Sequence, residues 1–318
     1  MTTVPERRDV SFFVRGVECA AWWYLPDGAD ELPRGAPLGE GHGLPVVVLG
    51  HGLGGVRAWR LDEFARAFQD AGYACLAFDY RGFGDSDGTP RQVVDPSMLL
   101  EDWRAAVGYA RSRPEVDPNR VVLFGTSFGG GHVTQIAAED PRIAAVIAQC
   151  PFLDGLASAR TTDPVRLVRL QWSAARDLLA ARRGADPVLV DIGGPRGSGA
   201  LVQADEHDFA AMVPAGDTSD TRVAARIALS IMPYRPGRST AHIACPALFL
   251  LCERDRLIPI NSSKRHASRA PKGEVHVLPY GHFDIYDGAP FRDVLARELE
   301  FVQRVVPVGP ADPSAGRA

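Results

Sequence analysis

The stretch VVLFGTSFGGGHVTQIAAE, residues 121–139, reads as a buried strand, a sharp turn and a helix in immediate succession. Its opening residues, Val121 to Phe124, form an unbroken apolar run, as expected of a strand covered on both faces. GTSFGG, Gly125 to Gly130, fits G-x-S-x-G and sits between that strand and the helix, which is the setting the pattern requires. A nucleophilic hydroxyl has to project from a tight, strained turn. Glycines at 125 and 129 let neighbouring backbone approach such a turn without a Cβ in the way. The helix that follows presents its N-terminus to the charge that builds up during attack. A Gly/Ser turn by itself decides little; the strand and helix around this one make Ser127 a candidate nucleophile.

Outward from this point the chain alternates. Mostly apolar runs at Val46 to Leu49, Ala74 to Phe78, Ile143 to Cys150 and Ala247 to Leu251 read as strands, and Glu274 to Leu278 as a further one. Helical stretches fall at Arg60 to Ala71, Met98 to Ser112, Ser262 to Ala270 and Phe291 to Val305. Strand and helix in turn predict an α/β fold: a mostly parallel, doubly wound sheet with helices on both faces. SFFVRG and ECAAWWYLP precede it as a hairpin turning at Arg15-Gly16. The stretch between the strand at Cys150 and the strand at Ala247 is too long for a structureless loop. Val165, Val168, Trp172 and Leu179 recur there at helical spacing, Val223 to Met232 is helix-compatible, and GGPRGSG between them is flexible by composition. We read residues 1–152 and 244–306 as the core, 153–243 as an inserted, mainly helical cap, and 307–318 as a loose tail.

Ser127 needs a base, and the base needs an acid to orient it. Asp255, in CERDRLIP, and His282, in LPYGHFDIY, each follow a strand directly. Parallel strands bring these ends to the edge where Ser127 emerges. Asp154, Glu253 and Asp284 compete for the acid's role. His132 and His276, inside a helix and a strand, are poorly placed to be the base. HGLGG, His51 to Gly55, follows the first buried strand and can supply one of two oxyanion donors, the N–H of Leu53; the other would be the N–H of Phe128. His51 is read as a structural hydrogen-bonding residue beneath that loop. The same segment admits a rival. Gly50, Gly52 and Gly55 spell G-x-G-x-x-G, with Asp79 at the end of the next strand, as in a dinucleotide site. A long irregular stretch, VRAWR, separates the last glycine from a convincing helix, and this reading leaves Ser127, Asp255 and His282 unexplained.

Taken together, the hairpin, HGLGG, DYRGFGDSDG (Asp79 to Gly88), GTSFGG, the insertion, CERDRLIP and GHFDIY resemble the α/β-hydrolase superfamily. The nearer likeness is to its bacterial esterase-like and dienelactone-hydrolase-like members with a helical cap. The order Ser, Asp, His is the one that fold uses. The resemblance implies cofactor-free hydrolysis of an ester-type bond through an acyl-enzyme on Ser127. Thioesterase, lactonase, C–C hydrolase and acyltransferase activities use the same residues, and a non-catalytic ligand receptor is a further alternative.

Composition narrows the partners. Net charge is −4, with 46% hydrophobic and 23% charged residues, which gives no electrostatic reason to expect nucleic acid or an acidic membrane. Five cysteines without a CxxC pair read as buried thiols in a reduced, cytoplasmic setting, and no metal motif is present. DYRGFGDSDG looks acidic enough for a cation, but its glycine spacing fits a structural turn better. The expected partner is a small, partly hydrophobic molecule, and a homo-oligomer is compatible with the sequence. Trp59, Trp172, Met212 and Met232 are the expected pocket residues, with Phe209 and Tyr234 as further candidates in the cap.

Overall fold

The computed structural model describes residues 7–29, 43–195, 197–204, 208 and 211–309. Strands β1 (Arg8–Val14) and β2 (Val17–Tyr24) form the expected hairpin. Its turn places Arg15 at φ 51° and Gly16 at φ 82°, the left-handed pair whose twist matches that of the flanking strands. The central sheet adds β3 (Leu44–Gly50), β4 (Ala74–Phe78), β5 (Val116–Thr126) and β6 (Ile143–Gln149). Beyond the insertion, which carries short strands β7 (Leu189–Asp191), β8 (Gly193–Gly194), β9 (Val202–Gln203) and β10 (Arg222–Ala224), come β11 (Ala247–Cys252) and β12 (Gly273–Leu278). The order across the sheet is β1-β2-β4-β3-β5-β6-β11-β12. β2 runs antiparallel to β4, and every pairing from β4 to β12 is parallel.

Helices α1 (Leu61–Asp70) and Gly288–Val305 pack together on one face, and α2 (Pro96–Arg111) and α3 (Phe128–Glu139) pack together on the other. With both faces covered, all five residues of β4 and all six of β11 are buried, which is why these strands read as continuous apolar runs. The chain steps outward from β3 to β4 and then returns past β3 to β5. That reversal opens a crevice at the carboxyl ends of β3 and β5, where the loop at His51 and the turn at Ser127 meet.

The insertion is less helical than the sequence suggests. Helices α4 (Gly155–Thr161) and α5 (Pro164–Arg182) start on Asp154 and Asp163, each accepting two backbone N–H bonds. Two small sheets follow, β7 with β10 and β8 with β9, so part of the glycine-rich stretch is paired strand. Val223 lies in β10, and only Ile227–Ser230 of the expected third helix is helical. Elements this short carry no periodicity to read. The insertion is fastened to the core: Trp59 donates to Asp217 at 3.1 Å, Arg60 to the Ala211 carbonyl at 2.9 Å, and Ala224 N–H to the Gln92 carbonyl at 2.8 Å. Of the expected tail, only residues 307–309 are described, and Arg120 donates to the carbonyls of Pro307 and Gly309.

Candidate active site

Ser127 caps α3 at φ 55°, ψ −116°, a left-handed conformation that a side chain rarely adopts. The surroundings hold it there. Its N–H donates to the Gln149 carbonyl at 2.8 Å, and its carbonyl accepts from Phe152 at 2.8 Å and Gly131 at 3.3 Å. A Cβ at Gly125 would lie 2.3 Å from the Gly129 carbonyl oxygen, and one at Gly129 would lie 2.5 Å from the His51 carbonyl oxygen. Both positions therefore require glycine, for the reason the sequence suggested.

The Ser127 hydroxyl lies 3.0 Å from His282 Nε2, and His282 Nδ1 lies 2.7 Å from Asp255 Oδ2. The other carboxylate oxygen of Asp255 accepts the N–H groups of Leu257 at 2.7 Å and Ile258 at 2.8 Å. A carboxylate only accepts, so Nδ1 carries the imidazole proton and Nε2 is left to receive the one from Ser127. His282 is buried, at 6% exposure, so the relay is shielded from bulk water. The arrangement can deprotonate a serine hydroxyl and return the proton to a leaving group.

The competing acids are occupied or turned elsewhere. Asp154 caps α4, pairs with Arg235 through two bonds of 2.9 Å and accepts from His266 at 3.2 Å. Burial works to raise its carboxyl, but Arg235 and His266 hold it down at about 2. Asp284 accepts the Gly281 N–H at 2.7 Å, and Glu253 is exposed. His132 meets the Tyr234 hydroxyl at 2.7 Å, and burial lowers it to about 3. His276 sits in β12.

Beneath the site, His51 accepts from Gly52 N–H at Nδ1 (2.7 Å) and donates from Nε2 to the Trp59 carbonyl at 2.8 Å. Burial lowers it to about 4 and keeps it neutral. It fixes the loop that carries Leu53. Asp79, the acid of the rival dinucleotide reading, accepts the N–H and guanidinium of Arg57 and the N–H of Asp85. Its carboxylate is built into the turn that follows.

Leu53, Ser127 and Phe128 open onto a cavity of about 380 Å³ between core and insertion. Phe152, Leu167, Leu170, Ile231 and Met232 form much of its apolar wall. Phe128, as the first residue of α3, has an N–H without a carbonyl in the preceding turn. Of the expected pocket residues, Met232 lines the cavity and the other three do not. Trp59 is fully buried beside His51, Met212 is buried in the core cluster, and Trp172 is 70% exposed on the outer face of α5. Tyr234 packs on Phe128 and Phe152 behind the wall, and Phe209 lies outside the described residues. A second, more polar opening of about 220 Å³ is lined by His282 with Gln203, Arg254, Arg256 and Asp284.

Sequence reasoning passed over Cys150. It follows β6 at φ 41°, and its sulfur lies within 4.8 Å of the Asp255 and His282 atoms of the relay. Burial pushes its thiol well up, keeping it neutral. All five cysteines are free and buried. No described helix is long and apolar enough to cross a membrane.

Comparison with known proteins agrees with this architecture. The quorum-quenching protein AidA of Acinetobacter baumannii is 44% identical over 311 residues, covering 97% of this chain and 98% of that protein. A thiohydrolase of Eupenicillium brefeldianum is 24% identical, covering 81% and 86%. The solved α/β hydrolase GrgF of Penicillium superposes with a TM-score of 0.76 at 25% identity, covering 95% of this chain and 99% of that one. The family model described as serine aminopeptidase S33 matches residues 41–284. The chain therefore belongs to that family and is a hydrolase of the α/β-hydrolase superfamily.

Proposed function

We propose that the chain cleaves a carboxylic ester-type bond through an acyl-enzyme on Ser127. The observation that carries this reading is the continuous hydrogen-bonded path Ser127–His282–Asp255 at the wall of the cavity. Ser127 attacks the carbonyl as His282 Nε2 takes its proton, and Asp255 holds the imidazole and stabilises its charged form. The N–H groups of Leu53 and Phe128 receive the oxyanion. His282 protonates the leaving group, then activates the water that releases the acid.

The cavity is of a size suited to a medium-length, partly hydrophobic acyl group. A small molecule of that kind, taken from solution, is the proposed partner. The quorum-quenching relative supports a small signal molecule as the substrate, and the Ser127 chemistry asks that it carry an open ester or lactone. The thiohydrolase relative favours one second reading, an acyl thioester, with the same Ser127 chemistry.

A panel separates these. Oxygen esters, lactones and thioesters of matched acyl length would be followed by pH-stat and thiol release. We expect oxygen esters or lactones to lead in kcat/KM and turnover to peak at medium acyl length. Thioesters leading by more than tenfold would replace the first reading with the second, and no turnover of any member by the folded protein would refute both.

A further inference from the structure

The inward stripe of α5 reads Arg166, Leu170, Ala174 and Asp177. Two of these buried positions carry charge, and a buried charge needs a partner. Asp177 has several: the Arg226 guanidinium at 2.6 and 2.8 Å, and the N–H groups of Val188 and Arg226 at 2.9 Å each. Arg166 has none. The other buried arginines among the described residues are all met: Arg57 by Asp79 and Asp85, Arg81 by Asp102 and Glu101, and Arg120 by the carbonyls of Gly43, Pro307 and Gly309. The Arg166 side chain, 8% exposed, has no hydrogen bond or ion pair to a described residue, and its Nε is sealed from solvent without an acceptor. A guanidinium cannot escape by losing its proton.

What lies against this charge is the cavity that contains Ser127. Ser158, on α4, lines the same cavity, and its buried hydroxyl is also without a partner. Arg166 borders an outer depression as well, with Asp163, Val165, Arg169, Gly197 and Ser198. The exposed Asp163 lines both spaces, and its carboxylate accepts the N–H groups of Val165 and Arg166. Thr161, Thr162, Gln203 and the exposed Arg256 also line the cavity, but the buried, unpartnered polar groups on its cap side are those of Arg166 and Ser158, and an oxygen-bearing ligand would satisfy them. The cavity also tells which half of the substrate this is. His282, which would protonate the leaving group, lines the adjoining polar space, which meets the Ser127 cavity at Gln203, Arg256 and Leu257, and the cavity on the Arg166 side lacks it.

We propose that Arg166, with Ser158 on the same cap wall, receives an oxygen acceptor carried by the acyl part of the substrate, so that oxygenated acyl groups are preferred over plain alkanoyl ones. This deepens the acyl-enzyme reading and rests on it for the orientation of the substrate. The acceptor is a ketone carbonyl or a carboxylate; both suit the donor fork of a guanidinium.

Calorimetric binding of intact esters to Ser127→Ala protein tests this without requiring turnover. The ligands are ethyl hexanoate, ethyl 5-oxohexanoate and monoethyl adipate. At least one oxygenated ester is expected to bind tenfold or more tighter than ethyl hexanoate, and the stronger of the two identifies the acceptor. In Ser127→Ala/Arg166→Met the ratio is expected to fall to about one. That change keeps an unbranched apolar stem, though a shorter one, and removes a buried charge, so folding is expected to survive, as circular dichroism would check. Arg166→Lys is expected to restore part of the preference for the adipate monoester. Equal binding of all three esters, or a preference that persists in the Arg166→Met background, would overturn the proposal. Failure of Ser127 itself would appear instead as absent turnover in the wild-type protein, so the two failures are distinguishable.

Discussion

Asp255→Asn would exchange one carboxylate oxygen for an NH₂ group and reverse the direction of one hydrogen bond. In the wild-type protein one Asp255 oxygen is held by the N–H groups of Leu257 and Ile258, at 2.7 and 2.8 Å, and the other faces His282 Nδ1 at 2.7 Å. Those two backbone donors would hold the asparagine carbonyl oxygen where one carboxylate oxygen is now, and its NH₂ would face His282. Nδ1 would then have to accept, so the imidazole proton would move to Nε2. The 3.0 Å contact to Ser127 would turn round, and the hydroxyl would lose its base. The equivalent change in a serine protease lowers kcat about 10⁴-fold, equal to ~5.4 kcal/mol of transition-state stabilisation. We expect a similar loss in kcat, a KM within a few-fold of wild type, and unchanged thermal unfolding. Stopped-flow and steady-state ester hydrolysis would measure it. A variant retaining more than a tenth of wild-type kcat would refute the argument and remove Asp255 as the orienting acid.

Other consequences follow from packing and charge. Gly125→Ala puts a methyl 2.3 Å from the Gly129 carbonyl oxygen and is expected to destabilise by about 1–3 kcal/mol in urea unfolding. Gly108→Ala, in the interior of α2 with no atom within 4 Å of the new methyl, is expected to stabilise by about 0.5–1 kcal/mol. Asp154 supplies a pH test: its carboxyl is held at about 2 when folded, against about 3.9 in an unfolded chain. A depressed folded value means this contribution is complete above pH ~4 and is lost as pH falls towards 2. Asp154→Asn is therefore expected to flatten the acid limb of stability against pH between about 4 and 2, read from urea midpoints; an unchanged limb would count against the pairing.

How much of this was legible in sequence depended on how much backbone geometry each residue type revealed. The turn at Ser127 announced itself because glycine at 125 and 129 is forced by carbonyl oxygens in contact range. Asp255 and His282 could be found because parallel strands deliver their ends to one edge, so position after a strand stood in for position in space. The insertion offered no such proxy. On α5 the apolar spacing of Val165, Val168 and Trp172 pointed to a buried face, yet all three are exposed, and the inward face carries Arg166 and Asp177. Periodicity of hydrophobicity finds a core only where the core is apolar. Strands of two or three residues, such as Gly193–Gly194 with Val202–Gln203, lie below the length at which alternation can be seen.

Active-site labelling decides whether Ser127 is the acylated nucleophile. Wild-type protein and Ser127→Ala would be treated with a fluorophosphonate and the adduct located by peptide mass spectrometry. One adduct is expected, on Ser127, formed in step with the loss of ester turnover and absent from the folded variant. An adduct on another residue, or undiminished ester turnover by Ser127→Ala, would contradict it.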